Sequence, residues 1–296
     1  LFQCPSVRGM AQWLDKPQYE SPLLVLNEAA DLPWIFCIHP VGGQAILFRH
    51  LSEQLNRQWS VAGLESIGLA NDEAPLLTIS EMASRYLTAM RSLQSTGPYT
   101  VLGYSMGGVI AYEMARQCMP DERIHLILLD TETPTFATEF DAKDAGFLRE
   151  MIQSFEVQSG IEIPEEAAEA LLTGFDLDQM DTVLSVEEIE DLVEQLMEAM
   201  GMDDDGDEMQ GMKRIVHVLI ANTQAIRQYQ LAPLAVDLQL IMAGQRGEAQ
   251  MQALQAAWHK QVNSVVVHHI AMADHAQLVE SQFAAQLAIL LNTIRA

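Results

Sequence analysis

The chain has 296 residues, 49% of them hydrophobic, which is the composition of an ordinary globular protein. Its 41 acidic and 16 basic residues leave a net charge of −25 at pH 7, which argues against nucleic acid or an anionic membrane as a partner because both repel so acidic a chain. No stretch approaches the ~20 apolar residues of a membrane span, no secretory signal pattern is present, and the three cysteines lack disulfide or metal spacing, so we expect a cytoplasmic protein without a metal.

The first half of the chain predicts strands that alternate with helices. Short apolar runs predict strands at 34–38, 60–64, 99–102 and 124–129. Helical patterns lie between them at 45–55, 79–93 and 109–115. Thr78 and Glu81 form a capping box that begins the second of these helices, and Gly97-Pro98 prevents its continuation. This alternation predicts an α/β fold with a mainly parallel, doubly wound sheet.

The middle of the chain breaks this alternation. Residues 139–211 contain 23 of the 41 acidic residues and only two basic ones, which gives this segment a net charge of −21. We predict a helical insertion at about 135–212, with methionines on its apolar faces. It is interpreted as a lid over the carboxyl edge of the sheet or as a solvated acidic face, and the two interpretations are compatible. Helices at 215–229, 249–258 and 282–291 and strands at 236–242 and 264–270 are then predicted.

A candidate nucleophile lies in Gly103-Tyr104-Ser105-Met106-Gly107, between a predicted strand and a predicted helix. This is the context of a nucleophile elbow, in which small residues let a sharp turn close and raise the serine above the sheet. A serine needs a base to take its proton, and the oxyanion formed on attack needs N–H donors. We therefore predict Ser105 as the nucleophile and the Met106 N–H as one oxyanion donor.

The second oxyanion donor is expected in the loop after an early strand. His39-Pro40-Val41-Gly42-Gly43 is the loop of that kind, and the Val41 N–H is the candidate donor. His39 is an alternative candidate for the catalytic base. It precedes Ser105 and ends a strand, however, and this position favours a structural role.

The acid and the base are expected after the serine, in that order. His275 stands in the loop after the last predicted strand, whereas the other late histidines fall in predicted helices or within a strand: His217, His259, His268 and His269. Asp130 ends the strand after the elbow helix, at the carboxyl edge of the sheet, and is the favoured acid. Its alternative role is helix capping. Glu248, in the loop after the next strand, is the competing acid.

Five blocks of sequence, in this order, resemble the type I thioesterase domains that end nonribosomal peptide synthetases and polyketide synthases. The blocks are Phe36-Cys37-Ile38-His39-Pro40-Val41-Gly42-Gly43, Gly97-Pro98-Tyr99, Gly103-Tyr104-Ser105-Met106-Gly107-Gly108, Leu128-Leu129-Asp130-Thr131 and Asp274-His275. The resemblance covers about residues 20–296 and implies the α/β-hydrolase fold. It supports Asp130 as the acid and implies a helical lid after it. Residues 1–16 resemble the final helix of a carrier domain and a linker.

The resemblance also implies a mechanism and a partner. Ser105 would take an acyl or peptidyl chain from the phosphopantetheine of an upstream carrier domain and release it by hydrolysis or macrocyclisation. No cofactor is expected in the domain itself. A freestanding or editing thioesterase or esterase of the same fold is the alternative, against which the carrier-like opening counts. A catalytically silent binding module would lack the serine or the histidine, and neither is missing.

Overall fold

The computed structural model describes residues 21–70, 73–118, 122–134, 194 and 207–295. The predicted carrier remnant at 1–16 lies outside the described residues, and so does most of the predicted insertion at 135–212. In the part of the chain that is described, no helix combines the length and the apolar character that crossing a membrane requires.

One seven-stranded sheet forms the centre of the protein. Its strands in chain order are β1 (Leu23–Asn27), β2 (Trp34–Ile38), β3 (Ser60–Leu64), β4 (Tyr99–Tyr104), β5 (Ile124–Leu129), β6 (Asp237–Ala243) and β7 (Ser264–Ile270). They lie side by side in the order β1-β3-β2-β4-β5-β6-β7. β1 pairs with β3 antiparallel, and the five other pairings are parallel. The sheet is therefore mainly parallel, as predicted.

Helices pack on both faces of this sheet. Those described are α1 (Arg49–Leu55), α2 (Ile79–Leu93), α3 (Met106–Gln117), α4 (Asp207–Gln228), α5 (Glu248–His259) and α6 (Ser281–Arg295), with 3₁₀ turns at Ile46–Phe48 and Ala276–Val279. α1 and α6 contribute to one hydrophobic core, and α2, α3, α4 and α5 contribute to the other. The predicted doubly wound arrangement is confirmed, because apolar helix stripes cover the sheet from both sides.

The differences from the predicted elements include those at β1, β4 and α4. β1 was not predicted, because a five-residue apolar run cannot be told from a helix segment until its pairing with β3 is known. β4 continues to Tyr104 and so leads directly into Ser105. α4 begins at Asp207 rather than at 215, since the charged residues and Gly211 in its first turns weaken the helical pattern. The proposed end of the insertion at 212 therefore falls inside a helix.

Glycines allow the start of α3 to lie directly against the sheet. A Cβ atom at Gly103 would collide with the backbone of Gly107 and Gly108. A Cβ atom at Gly107 would lie 2.5 Å from the carbonyl oxygens of Ile38 and His39. Because these neighbours are backbone atoms, they cannot move aside. The turn after β4 and the loop after β2 consequently meet at the carboxyl edge of the sheet.

Gly108→Ala is expected to lower the free energy of unfolding by about 1–3 kcal/mol, because the new Cβ atom would overlap the Thr131 side chain. The double variant Gly108→Ala/Thr131→Ala should recover part of that loss. Gly211→Ala is the control, since a Cβ atom there meets nothing within 4 Å and alanine favours a helix. Urea unfolding measures all three, and equal stability of the Gly108 and Gly211 variants would contradict the close packing.

Candidate active site

Ser105 joins β4 to α3 in a strained turn. Its backbone has φ 53° and ψ −124°, a combination that residues with a side chain rarely adopt. Two hydrogen bonds hold it there, because Ser105 N–H donates to Leu129 O at 2.9 Å and Gly108 N–H donates to Ser105 O at 3.0 Å. The residue is only half-buried. A strained serine between a strand and a helix is the geometry that the elbow motif predicts.

Asp130 and His275 form a hydrogen-bonded pair. Asp130 directly follows β5, His275 lies in the loop after β7, and His275 Nδ1 lies 2.7 Å from Asp130 Oδ2. An ionised carboxylate only accepts hydrogen bonds, so the neutral imidazole carries its proton on Nδ1 and its lone pair on Nε2. This tautomer is the one that accepts a proton through Nε2. Two of the predicted site residues are thus brought into direct contact.

The Asp130 carboxylate is completely buried and has further donors. Arg246 Nε and Nη2 lie 2.9–3.1 Å from its two oxygens, and Ala243 N–H donates to Oδ1 at 3.0 Å. Burial acts to raise the pKa of Asp130. The hydrogen bonds that His275 and Arg246 donate, together with the positive charge of Arg246, outweigh burial and hold this pKa well below its ordinary value. Asp130 is therefore ionised at neutral pH.

Arg246 was not identified from the sequence. It lies in the short loop between β6 and α5, and its Nη1 donates to Glu132 Oε1 at 2.6 Å. The guanidinium therefore bridges two carboxylates. Burial acts to lower the pKa of Arg246, but the charges of Asp130 and Glu132 outweigh burial and raise it. A lone basic residue in a loop at the carboxyl edge is the only signal that the sequence offers for this role.

Tyr104 links His275 to the elbow. Its hydroxyl donates to the His275 carbonyl oxygen at 2.6 Å, and the two ring centroids are 5.2 Å apart. Because Tyr104 directly precedes Ser105, the histidine lies beside the end of the strand that carries the serine. Among the described residues, no hydrogen bond joins Ser105 Oγ to His275 Nε2. Such bonds in enzymes often shorten to their working length only when substrate is bound.

The two predicted oxyanion donors lie on segments that touch. Met106 is the first residue of α3, and the first N–H groups of a helix have no acceptor within the helix. Val41 lies in the loop 39–43, and the neighbouring Gly107 packs against the backbone of His39 at the start of that loop. The fold therefore places the start of the loop 39–43 beside the turn that contains Ser105.

The His39 ring orients the peptide group that carries the Val41 N–H. His39 Nδ1 donates to Pro40 O at 2.6 Å, and Gly43 N–H donates to the same oxygen at 2.9 Å. In a planar trans peptide the C=O and N–H bonds point in opposite directions, so holding Pro40 O also directs the Val41 N–H. His39 Nε2 accepts from the Tyr86 hydroxyl at 2.6 Å. Burial lowers the pKa of His39 to about 4, so the ring is neutral and its contacts are structural.

Asn222 of α4 holds the next peptide group of the same loop. Its Nδ2 donates to Val41 O at 2.8 Å, and its Oδ1 accepts from Ser66 Oγ at 3.3 Å. Asn222 is completely buried, and a buried amide must have hydrogen-bond partners. It was not identified from the sequence. Its signal is a polar residue that interrupts the apolar face of a helix.

The competing candidates lie elsewhere. Glu248 is exposed in the first turn of α5 and accepts a hydrogen bond from Gln252 at 3.2 Å. The other late histidines lie in α4, α5 or β7: His217, His259, His268 and His269. In the described ranges, no group of side chains suited to holding a metal ion is found. The geometry therefore singles out Asp130, rather than Glu248, as the carboxylate beside His275.

The family model described as "Thioesterase domain" matches residues 33–295. The dimodular nonribosomal peptide synthase of Bacillus subtilis is 32% identical over 149 residues, which are 49% of this chain and 6% of that protein. The polyketide synthase PksR of the same organism is 28% identical over 165 residues, 52% of this chain and 6% of that protein. The chain thus spans less than a tenth of the length of these relatives.

Solved structures share the fold. A four-domain nonribosomal peptide synthetase bound to AMP and glycine has a TM-score of 0.69 at 23% identity, over 97% of this chain and 21% of that one. The type II thioesterase BorB from the borrelidin cluster has a TM-score of 0.59 at 16% identity, over 93% and 98% of the two chains. The predicted resemblance to the thioesterase domains of peptide and polyketide synthases, and the α/β-hydrolase fold, are confirmed.

Protonation of His39 is expected to make the protein less stable in acid. Its pKa of about 4 in the folded state lies below the ordinary value of 6.5, so between these values the unfolded chain binds the additional proton. The free energy of unfolding therefore falls as the pH is lowered through this window. Urea unfolding at about pH 7.5 and about pH 5 should show a loss of roughly 1–2 kcal/mol from this residue.

His39→Asn should remove most of that pH dependence, because asparagine can still donate to Pro40 O but does not titrate. His259→Asn is the matched control, since His259 is exposed on α5, and it should leave the dependence unchanged. If the free energy of unfolding of the His39 variant changes with pH as much as that of the parent protein, the ring is not buried in its neutral form.

Proposed function

Because the chain belongs to the thioesterase domain family, we propose that it releases a carrier-bound acyl or peptidyl chain through an acyl-enzyme on Ser105. In this proposal Asp130 and His275 complete the triad, and the N–H groups of Val41 and Met106 hold the oxyanion. The observation that supports it most is the 2.7 Å contact between Asp130 Oδ2 and His275 Nδ1. That contact leaves the Nε2 lone pair as the proton acceptor at the sheet edge where the strand before the serine ends.

Acylation begins when Ser105 Oγ attacks the thioester carbonyl carbon and its proton passes to His275 Nε2. The carbonyl oxygen becomes an oxyanion, which the two backbone N–H groups stabilise. The ionised Asp130 stabilises the imidazolium through Nδ1. When the tetrahedral intermediate collapses, the carbon–sulfur bond breaks and the departing thiolate takes the proton from Nε2. An ester on Ser105 and a free thiol remain.

Deacylation repeats these steps with a different nucleophile. His275 Nε2 takes a proton from water or from a hydroxyl or amine of the bound chain, which attacks the ester carbon. The second tetrahedral intermediate uses the same oxyanion donors. On its collapse the carbon–oxygen bond to Ser105 breaks, and the serine oxygen recovers the proton from His275. Water as the nucleophile gives hydrolysis, and a group of the chain itself gives a macrocycle.

The partner in this proposal is an acyl or peptidyl carrier domain upstream in the same synthetase. Two observations support it: residues 1–16 resemble the final helix of a carrier, and the matched relatives are synthetases far longer than this chain. The substrate arrives on the phosphopantetheine of that carrier, so the domain needs no cofactor of its own. A small acyl or peptidyl chain suits a protein whose charge of −25 disfavours nucleic acids and anionic membranes.

A freestanding or editing thioesterase is the second candidate, and the shared fold of the type II thioesterase BorB favours it. The chemistry on Ser105 is the same in both cases. The two candidates differ in whether the carrier belongs to the same polypeptide. A phosphopantetheine-bearing serine motif immediately upstream of residue 1 would support the first candidate, a domain that releases the chain from a carrier in the same polypeptide.

Incubation with a fluorophosphonate should add one adduct to the folded protein, because the reagent reacts with a serine whose hydroxyl is activated by a base. Intact-protein mass spectrometry measures the adduct, and peptide mapping should place it on Ser105. Ser105→Ala should show none, and neither should the parent protein unfolded in urea. A full adduct on Ser105→Ala would overturn the assignment of the nucleophile.

Asp130→Asn is expected to lower kcat by about 10²- to 10⁴-fold with little change in KM, because the amide no longer holds the correct tautomer of His275 or stabilises the imidazolium. Glu248→Gln should be nearly silent, since Glu248 is exposed on α5. Steady-state hydrolysis of an acyl N-acetylcysteamine thioester measures both. A large loss in the Glu248 variant with a near-normal Asp130 variant would move the acid to the later strand.

A further inference from the structure

The Asp130 carboxylate has a donor at every acceptor position. Oδ1 accepts from Ala243 N–H and Arg246 Nε, and Oδ2 accepts from Arg246 Nη2 and His275 Nδ1. An ionised carboxylate offers about four lone-pair sites, so this set fills them all. Rotation of the carboxylate about the Cβ–Cγ bond of Asp130 would break several of these hydrogen bonds at once. The oxygen that faces His275 is therefore held in one place.

Arg246 supplies two of these four donors. Its Nε and Nη2 reach both oxygens of the same carboxylate, a fork geometry that aligns the planes of the two groups. The side chain is itself largely buried, with 13% of its surface exposed. Without Arg246 the carboxylate would keep only one hydrogen bond on each oxygen, from Ala243 N–H and from His275 Nδ1, and its plane would be held less firmly.

We propose that Arg246 is a positioning residue for the acyl-transfer reaction: it fixes the Asp130 carboxylate, which in turn holds His275 in the orientation that receives the serine proton. The proposal rests on the triad described under the proposed function. Arg246 contacts neither the reacting atoms nor the substrate in this role. It acts through Asp130.

Glu132 prevents the arginine from cancelling the charge of the acid. A guanidinium beside Asp130 alone would neutralise the negative charge that stabilises the imidazolium. Glu132 Oε1 accepts from Arg246 Nη1 at 2.6 Å, so the positive charge of Arg246 is shared between two carboxylates. Asp130 therefore keeps more of its negative charge for His275 when the imidazole becomes protonated.

A double-mutant cycle tests this inference. Arg246→Met should lower kcat about 10- to 100-fold, the size expected for a misplaced catalytic group, with KM changed less than about twofold. Arg246→Lys keeps the positive charge but cannot contact both carboxylate oxygens in the same geometry, so its kcat should lie between those of the parent protein and Arg246→Met. In the Asp130→Asn background, Arg246→Met should change kcat by less than about twofold, because the carboxylate through which it acts is already gone. Glu132→Gln should lower kcat while Arg246 is present.

Arg116→Met is the matched control. Arg116 also pairs with a completely buried carboxylate, that of Glu113 at 2.6 Å, but this pair lies outside the proposed triad. The control should lower the urea midpoint and leave kcat near that of the parent protein. If Arg246→Met behaves like this control, or if its loss adds fully to that of Asp130→Asn, the inference is wrong. If Arg246→Met does not fold, the same two comparisons are made with Arg246→Lys.

Steady-state hydrolysis of an acyl N-acetylcysteamine thioester, the assay for all of these variants, also separates failure of this inference from failure of the proposed function. Ser105→Ala and Asp130→Asn measure the triad, and both should lose most of their activity. If either keeps full activity, the proposed function itself is wrong. If both lose activity while the Arg246 variants match the control, only the role of Arg246 is wrong.

Discussion

The organisation of the candidate site depends on the burial of one charge. Asp130 is completely buried, and an ionised carboxylate removed from water is tolerated only when it is paired and hydrogen-bonded. Its partners come from the end of β6, from the loop after β6 and from the loop after β7: Ala243, Arg246 and His275. Satisfying this carboxylate therefore requires three neighbouring segments to adopt one mutual arrangement, and that arrangement brings His275 beside the strand that ends at Ser105.

The opposite side of the site is held by neutral groups. The loop after β2 is fixed through its carbonyl oxygens, by His39 at Pro40 and by Asn222 at Val41. Because each peptide group is rigid, the fixed Pro40 carbonyl directs the Val41 N–H that the proposed mechanism uses. A neutral His39 suits this role, since protonation would remove its ability to accept from Tyr86. Asn222 also connects this loop to α4, so the loop and the helix share one buried contact.

Local patterns were sufficient to predict the alternating elements and the fold class. Strands between turn residues, the capping box before α2 and the elbow around Ser105 are recognisable over a few residues each, because backbone propensity and hydrophobic periodicity act locally. Chain order after the serine and the position of His275 in the loop after the last strand were enough to select His275. The position of Asp130 at a strand end, together with the family resemblance, favoured it over Glu248, and Asp130 and His275 are in contact. The roles assigned to Ser105, Val41 and Met106 remain proposals for experiment.

Most of the strands and helices, and the residues with reactive side chains, could therefore be predicted from the amino-acid sequence alone. Which of these side chains meet became known only from the folded protein. Arg246, 116 residues after Asp130, has no local pattern that marks it, and β1 acquires its identity only from pairing with β3. Both cases have one cause. Pairing of charges and strands is a contact between distant parts of the chain, whereas the pattern that a sequence displays is local.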